Sequence, residues 1–166
     1  MEPEDIQVLY RWENDPSGWL VSGTVAPFSR QVIKKYLDAS HQDIYTNKEL
    51  RLIIELIEEG LPIGCIDLFD FDPGHHRAGV GIIIGEQEKR SSGYANEALS
   101  LLIEYAFGVL GLHQLFANIA VDNFPSLKLF ENCGFHISGT KKEWILSGGK
   151  RVDEHFLQLI SNGDVK

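Results

Sequence analysis

The sequence predicts an α+β domain: a mixed, mainly antiparallel sheet with helices packed on it. Three observations lead there. The hydrophobic period alternates between helical and strand spacing in the order α-α-β-β-β-α-β-α-β-β. The β-rich runs are separated by "IEEGL", "DPGHH" and "SGG", which carry turn chemistry and read as hairpin connections. Finally, 166 residues without a linker, repeat or low-complexity stretch suit one domain, residues 1–166, long enough to bury a core.

The first element is a helix in "EPEDIQVLYRWEND". Ile6, Leu9, Tyr10 and Glu13 stand at helical spacing, Pro3 suits a first turn, and Asn14-Asp15-Pro16 stops the run. A second helix starts at Ser29, whose hydroxyl can cap it, and buries Ile33, Tyr36 and Leu37. The runs "ELRLIIEL", "PIGCIDLFDF" and "RAGVGIII" follow as three strands. Ala95, Leu99, Leu102, Ala106 and Val109 or Leu110 then form one apolar stripe, which predicts an amphipathic helix over residues 93–110. "HQLFANIAV" is the next strand. A further helix runs over residues 123–133 with Asn123 as its cap, and Gly134 suits the left-handed turn after it. "FHISGTKKEWIL" and "RVDEHFLQLI" close the chain as a hairpin.

Composition narrows the function. Fifteen Lys and Arg against 24 Asp and Glu give a formal charge of −9, which disfavours nucleic acid and anionic membranes and favours a cationic partner. No charged-then-apolar leader opens the chain and no apolar run nears the ~18 residues of a membrane span, so a cytoplasmic protein is expected. Cys65 and Cys133 form no CxxC pair, which fits a reducing compartment, and as small apolar residues they need no special role. His75 and His76 are adjacent in a turn, and His113, His136 and His155 lack metal-ligand spacing, so no metal is predicted.

The stretch "IIIGEQEKRSSGYANEAL", residues 82–99, sets a charged loop and a glycine directly before a helix. Helix N-termini carry unpaired N–H groups and partial positive charge, so a phosphate delivered there needs small residues around it. Arg90, Ser91, Ser92, Gly93, Tyr94 and Ala95 meet that need, with glycine free to take unusual dihedrals. The plainer alternative is that Ser91 or Ser92 merely caps the helix and Gly93 is incidental. Two familiar phosphate loops are excluded: no GxGxxG joins a strand to a helix, and the "GGK" of residues 148–150 lacks the rest of a P-loop.

That run resembles the coenzyme A pyrophosphate loop of GNAT family N-acetyltransferases, whose pattern is Gln or Arg, two residues, Gly, one residue, Gly or Ala. Arg90, Gly93 and Ala95 fill it. Downstream, Asn123, Ser126, Gly134 and Phe135 resemble the family's Asn-x-x-Ser helix start and Gly-Phe ending, and "GGKRVDEHFLQL" its last hairpin. The likeness runs from about Leu9 to Ile160, and "YRWEND" is similar to the RimJ/RimL-like and spermidine acetyltransferase branches. The resemblance implies a central sheet splayed in the middle with helices on both faces, and acetyl-CoA as co-substrate. The strand ending at Ile82, Ile83 and Ile84 would diverge from "FANIAV" and hold the pantetheine arm through its backbone, its side chains being core in either case. Arg90, Ser91, Ser92, Gly93, Tyr94, Ala95 and Asn96 would hold the pyrophosphate. The helix from Asn123, with Ser126 and Phe130, would flank the thioester.

Amine chemistry sets the remaining requirement. A lysine-like amine of pKa about 10.4 must lose its proton before it attacks, at about 4.6 kcal/mol at pH 7, so a proton acceptor is needed nearby. Glu13, Asp15, Asp67, Asp70, Glu86 and Glu143 are candidates, each able to act through one water. Glu13 and Glu143 are preferred because the resemblance places both segments around the acceptor. The leaving thiolate, of pKa about 8.5, takes its proton from a hydroxyl or from water. Many relatives carry a tyrosine where this chain has Phe130, which makes Ser126 the substitute acid; alternatively Ser126 is a local cap in the first helical turn. The expected reaction is acetyl-CoA-dependent N-acetylation of a primary amine by direct attack in a ternary complex. Its acceptor is a polyamine such as spermidine or the N-terminal amine of a peptide or protein, with an amino sugar or antibiotic left open. The competing class is a non-catalytic acyl-CoA binding or sensing domain. A homo-oligomer is compatible with either.

Overall fold

In the computed structural model, which describes residues 1–16, 18, 19, 24–39, 43–161 and 163, every expected element forms. The chain runs through α1 (Ile6–Glu13), α2 (Arg30–Ala39), a single turn α3 (Ile44–Asn47), β1 (Leu50–Leu56), β2 (Leu61–Asp72), β3 (Arg77–Ile84) and α4 (Tyr94–Gly108). It ends with β4 (Gln114–Ala120), α5 (Phe124–Asn132), β5 (His136–Ser147) and β6 (Lys150–Ile160). Among the described residues α3 and two short 3₁₀ turns, Pro3–Asp5 and Gln87–Lys89, go beyond the expected elements; Asp43 builds α3 by accepting from the amides of Tyr45 and Thr46. Ser29 caps α2 as expected, its Oγ accepting from the Val32 amide at 3.2 Å. Gly134 follows α5 at φ 90°.

The strands form one sheet in the order β1-β2-β3-β4-β6-β5. Every pairing is antiparallel except β3 with β4. That parallel pair holds only at Arg77↔Gln114, Ala78↔Leu115 and Gly79↔Phe116. Beyond it β3 stays with β2 as far as Ile84↔Gly64, and β4 stays with β6 as far as Ala120↔Glu154. The sheet therefore forks, and two strand edges face each other across a gap.

Alternation along the strands sends apolar side chains to both faces. On one face Leu68, Ala78, Val80, Leu115, Ala117 and Leu157 pack with Leu99, Leu102 and Ala106 of α4 and Phe130 of α5. On the other, Leu9 and Trp12 of α1 and Ile33 and Leu37 of α2 form a smaller cluster with Ile53 of β1. Trp12, rather than Glu13, completes the buried stripe of α1, and Glu13 is left at the edge of the gap. Asn14 ends α1 and ties it to the following segment: its Oδ1 accepts from the Phe28 amide at 2.7 Å, and its Nδ2 donates to the carbonyls of Tyr10 and Phe28. Among the described residues no helix is long and apolar enough to cross a membrane, and no group of three or more His, Cys, Asp or Glu side chains is arranged to hold a metal ion.

Candidate active site

A cavity of about 790 Å³ fills the fork and passes through the sheet. Toward α4 and α5 it is lined by Val80, Ile82, Ala117, Ile119 and Phe130; toward α1 it is lined by Asp67, Gly81, Ile83, Asn118 and Glu154. Because residues of both strand phases reach it, one space has an apolar mouth and a charged mouth.

On the apolar side β3 leads through a 3₁₀ turn, Gln87–Lys89, into α4. Gly93 is the N-cap of α4 at φ 90°, a left-handed conformation that a side chain would strain, and a Cβ there would meet nothing within 4 Å. No side chain caps the helix, so Ser91 and Ser92 do not serve that purpose; Ser92 Oγ donates instead to the Arg90 carbonyl at 3.4 Å. Among the described residues the amides of Ser91, Ser92, Gly93, Tyr94 and Ala95 find no protein acceptor. Five such donors at the positive end of a 15-residue helix suit an anionic group. Arg90 folds back, its Nε donating to the Ile84 carbonyl at 2.9 Å. Asn96 turns the other way, its Oδ1 3.4 Å from Cys133 Sγ. Ile82 and Ile83 line the cavity, whereas Ile84 and residues 90–96 stand outside its lining.

The start of α5 closes that mouth. Asn123 caps the helix, its Oδ1 accepting from the Ser126 amide at 3.3 Å. Ser126 is thus the capped residue rather than the cap, and its hydroxyl has no protein partner among the described residues while it lines the cavity. Phe130 also lines the cavity, buried edge-to-face against Phe135 at 5.0 Å, and it brings no hydroxyl.

The charged mouth is built by long-range ion pairs. Arg51 of β1 binds Asp67 of β2 with two parallel bonds, Nε to Oδ1 at 2.7 Å and Nη2 to Oδ2 at 2.8 Å, and reaches Glu13 Oε1 of α1 through Nη1 at 2.6 Å. The three side chains are only 17–20% exposed. Burial pushes the Asp67 carboxyl above its ordinary range against the opposing pull of Arg51. For Arg51, burial works against the charge, but the Asp67 carboxylate outweighs it and keeps the guanidinium protonated. Trp19 Nε1 fixes the backbone beneath Glu13 by donating to its carbonyl at 3.0 Å. Across the fork, Glu154 of β6 accepts from Lys141 Nζ at 2.7 Å, and the same ammonium donates to Asn118 Oδ1 at 2.7 Å. Cys65 also lines the cavity, and burial pushes its thiol up to about 12.

The other candidate carboxylates lie elsewhere. Glu143 is exposed on a bulge of β5 at φ 50°, its amide donating to Asp153 Oδ1 at 2.8 Å, and it does not line the cavity. Asp15 is not among the lining residues, Glu86 pairs with Arg11 and accepts from Trp12 Nε1 at 3.0 Å, and Asp70 lines a separate cavity of about 730 Å³ at the far end of the sheet. Arg51 and Glu154 were not singled out from the sequence. Glu154 becomes visible only through its pairing with Ala120, the last residue of β4 before the α5 cap.

Known proteins share this architecture. Residues 1–136 match the model of the acetyltransferase (GNAT) domain family. Spermidine N(1)-acetyltransferase of Vibrio cholerae serotype O1 is 30% identical over 122 residues, covering 74% of this chain and 69% of that one. The uncharacterized N-acetyltransferase p20 of Bacillus licheniformis is 27% identical over 165 residues, covering 96% and 89%. The crystal structure of spermidine N-acetyltransferase from Vibrio cholerae in complex with CoA and spermine has the same fold, with a TM-score of 0.87 at 23% identity over 96% of this chain and 92% of that one. With a family model spanning most of its length and a 30% identical relative, the chain belongs to the GNAT acetyltransferase family and is an acetyl-CoA-dependent N-acetyltransferase.

Proposed function

We propose that the chain acetylates a primary amine that carries a second positive charge, a polyamine such as spermidine, by direct attack on acetyl-CoA in a ternary complex. The charged mouth carries this reading: Glu13 and Asp67 share the single cation Arg51, leaving an excess negative charge where an acceptor enters. The similarity to spermidine N(1)-acetyltransferase supports the same class. On the apolar side, the amides of Ser91 to Ala95 receive the pyrophosphate, with Arg90 and Asn96 at the loop's ends. The free edge of Ile82, Ile83 and Ile84 pairs with the pantetheine arm, and Asn123, Ser126 and Phe130 flank the thioester.

The state of the cavity's thiol supports direct attack. Among the described lining residues Cys65 is the sole thiol, and with its pKa near 12 it is protonated at neutral pH and poorly suited to carry the acyl group. Glu13 keeps one oxygen beyond the Arg51 contact and takes the amine proton through a water or holds the second ammonium. Ser126 protonates the departing thiolate, a step Phe130 cannot perform. Glu143 has no part in this scheme. Both cysteines are free, which supports the cytoplasm as the compartment.

The test is kcat/KM for spermidine, a monoamine of similar length and short peptides, on wild type and Glu13→Gln at two salt concentrations. The substitution should raise KM for spermidine by about fivefold more than for the monoamine, with the gap closing as salt screens the site over ~8–10 Å. Equal losses for all acceptors would remove the ammonium-binding role of Glu13. A preference for peptides would move the assignment to N-terminal amines, and acetyl-CoA binding without turnover on any amine would favour an acyl-CoA sensor.

A further inference from the structure

On the α1-side face of β3, beside the fork, two consecutive positions carry no side chain: Gly79 and Gly81. They differ in surroundings. A Cβ on Gly79 would lie 2.4 Å from the Phe69 ring, so that ring already occupies the place. A Cβ on Gly81 would lie 3.7 Å from Asp67 Oδ2 and 3.9 Å from Phe69, ordinary contact distances, and Gly81 lines the cavity. Its backbone is not left-handed either. Neither sterics nor dihedrals call for glycine at 81, and in a strand interior glycine costs about 0.5–1 kcal/mol against a residue with a side chain. The bare backbone at Gly81 leaves room for the cavity over β3. Asp67, its partner in register, and Glu13 beyond it lie at one end; the gap beside Asn118 and Glu154 lies at the other.

We propose that Gly81 is a specificity-determining residue: its missing side chain lets an unbranched aminoalkyl chain cross β3, with the reacting amine in the fork and a second ammonium at Asp67 and Glu13. Neighbouring strands stand about 4.8 Å apart, roughly the span of a short alkyl linker between two amines. Asp67 suits the second ammonium because Arg51 holds its carboxylate in one orientation while leaving each oxygen a further lone pair. The inference deepens the polyamine reading and rests on it.

The experiment compares wild type, Gly81→Ala and Gly81→Val with two amines, spermidine and methylamine, the second too short to cross β3. Each amine is titrated by calorimetry into protein saturated with CoA, and kcat/KM is measured with acetyl-CoA. Gly81→Val should weaken spermidine by about tenfold or more and Gly81→Ala by about threefold, with CoA itself and methylamine, whose single carbon does not span β3, held within about twofold. Both variants should melt near wild type, whereas Gly79→Ala should melt lower; if the valine variant misfolds, the alanine variant carries the comparison. A folded Gly81→Val that binds spermidine as wild type does, or that loses both amines equally, overturns the proposal. So does a CoA-saturated wild type that binds no spermidine. Spermidine binding that depends on Gly81 without any turnover would instead count against acetyl transfer while supporting the crossing of β3.

Discussion

The two mouths of the fork are made of different materials. Toward α4 and α5 the protein offers main chain: the amides of residues 91–95, the open edge of Ile82 to Ile84, and a capped helix start at Asn123. Toward α1 it offers side chains locked in ion pairs, Glu13 and Asp67 on Arg51 and Glu154 on Lys141. Main-chain recognition asks only for dihedrals and small residues within a short segment, and it suits a ligand that never changes. Side-chain recognition draws on α1, β1, β2, β5 and β6 at once, and each pair can be altered without touching the other mouth.

That independence can be broken most severely at Gly93. Gly93→Asp forces a side chain into a left-handed position and sets a negative charge against the helix end, so acetyl-CoA affinity should fall by about a hundredfold or more in calorimetry, with the fold retained. Unchanged affinity in a folded variant would remove the main-chain half of the comparison. Arg51→Met attacks the other half. It leaves Asp67 and Glu13 facing each other with little solvent, at a cost of about 2–3 kcal/mol and a melting temperature lower by roughly 5–10 °C. Adding Asp67→Leu should recover most of that loss, and CoA affinity should stay near wild type in the double variant. A large loss of CoA binding there would show that the mouths are coupled. Ser126→Ala gives the smallest effect and sharpens the boundary between them: kcat should fall by about tenfold with little change in acetyl-CoA binding, because a proton donor to the thiolate acts in the transition state. Unchanged turnover would leave the proton to water.

The same contrast decides what the sequence discloses. Strands and helices were readable because their periods are local, and β3 begins and ends where the run "RAGVGIII" does. The loop before α4 was readable for the same reason. Of the charged mouth, Glu13 and Asp67 are candidates in the sequence but the cation between them is not: Arg51 lies 38 residues from Glu13 and 16 from Asp67, and nothing in "ELRLIIEL" distinguishes that arginine from a solvated one. Glu143 stands outside the cavity lining through a register effect, since a bulge between Lys141 and Ile145 of β5 changes which side chains share a face with the fork. α3 escaped because four residues are too few to show a period, and only the bonds made by Asp43 define it.

The three-pair seam between β3 and β4 also has a mechanical meaning. It divides the sheet into two stiff plates, β1-β2-β3 and β4-β6-β5, joined edge to edge only at Arg77–Gly79 and Gln114–Phe116. At the open end both plates line the same cavity, Gly81 and Ile83 from one and Asn118, Ile119 and Glu154 from the other. If the co-substrate's arm lies along the free edge of β3 as proposed, it would act as a splint across the opening and brace the frame against which the amine is aligned.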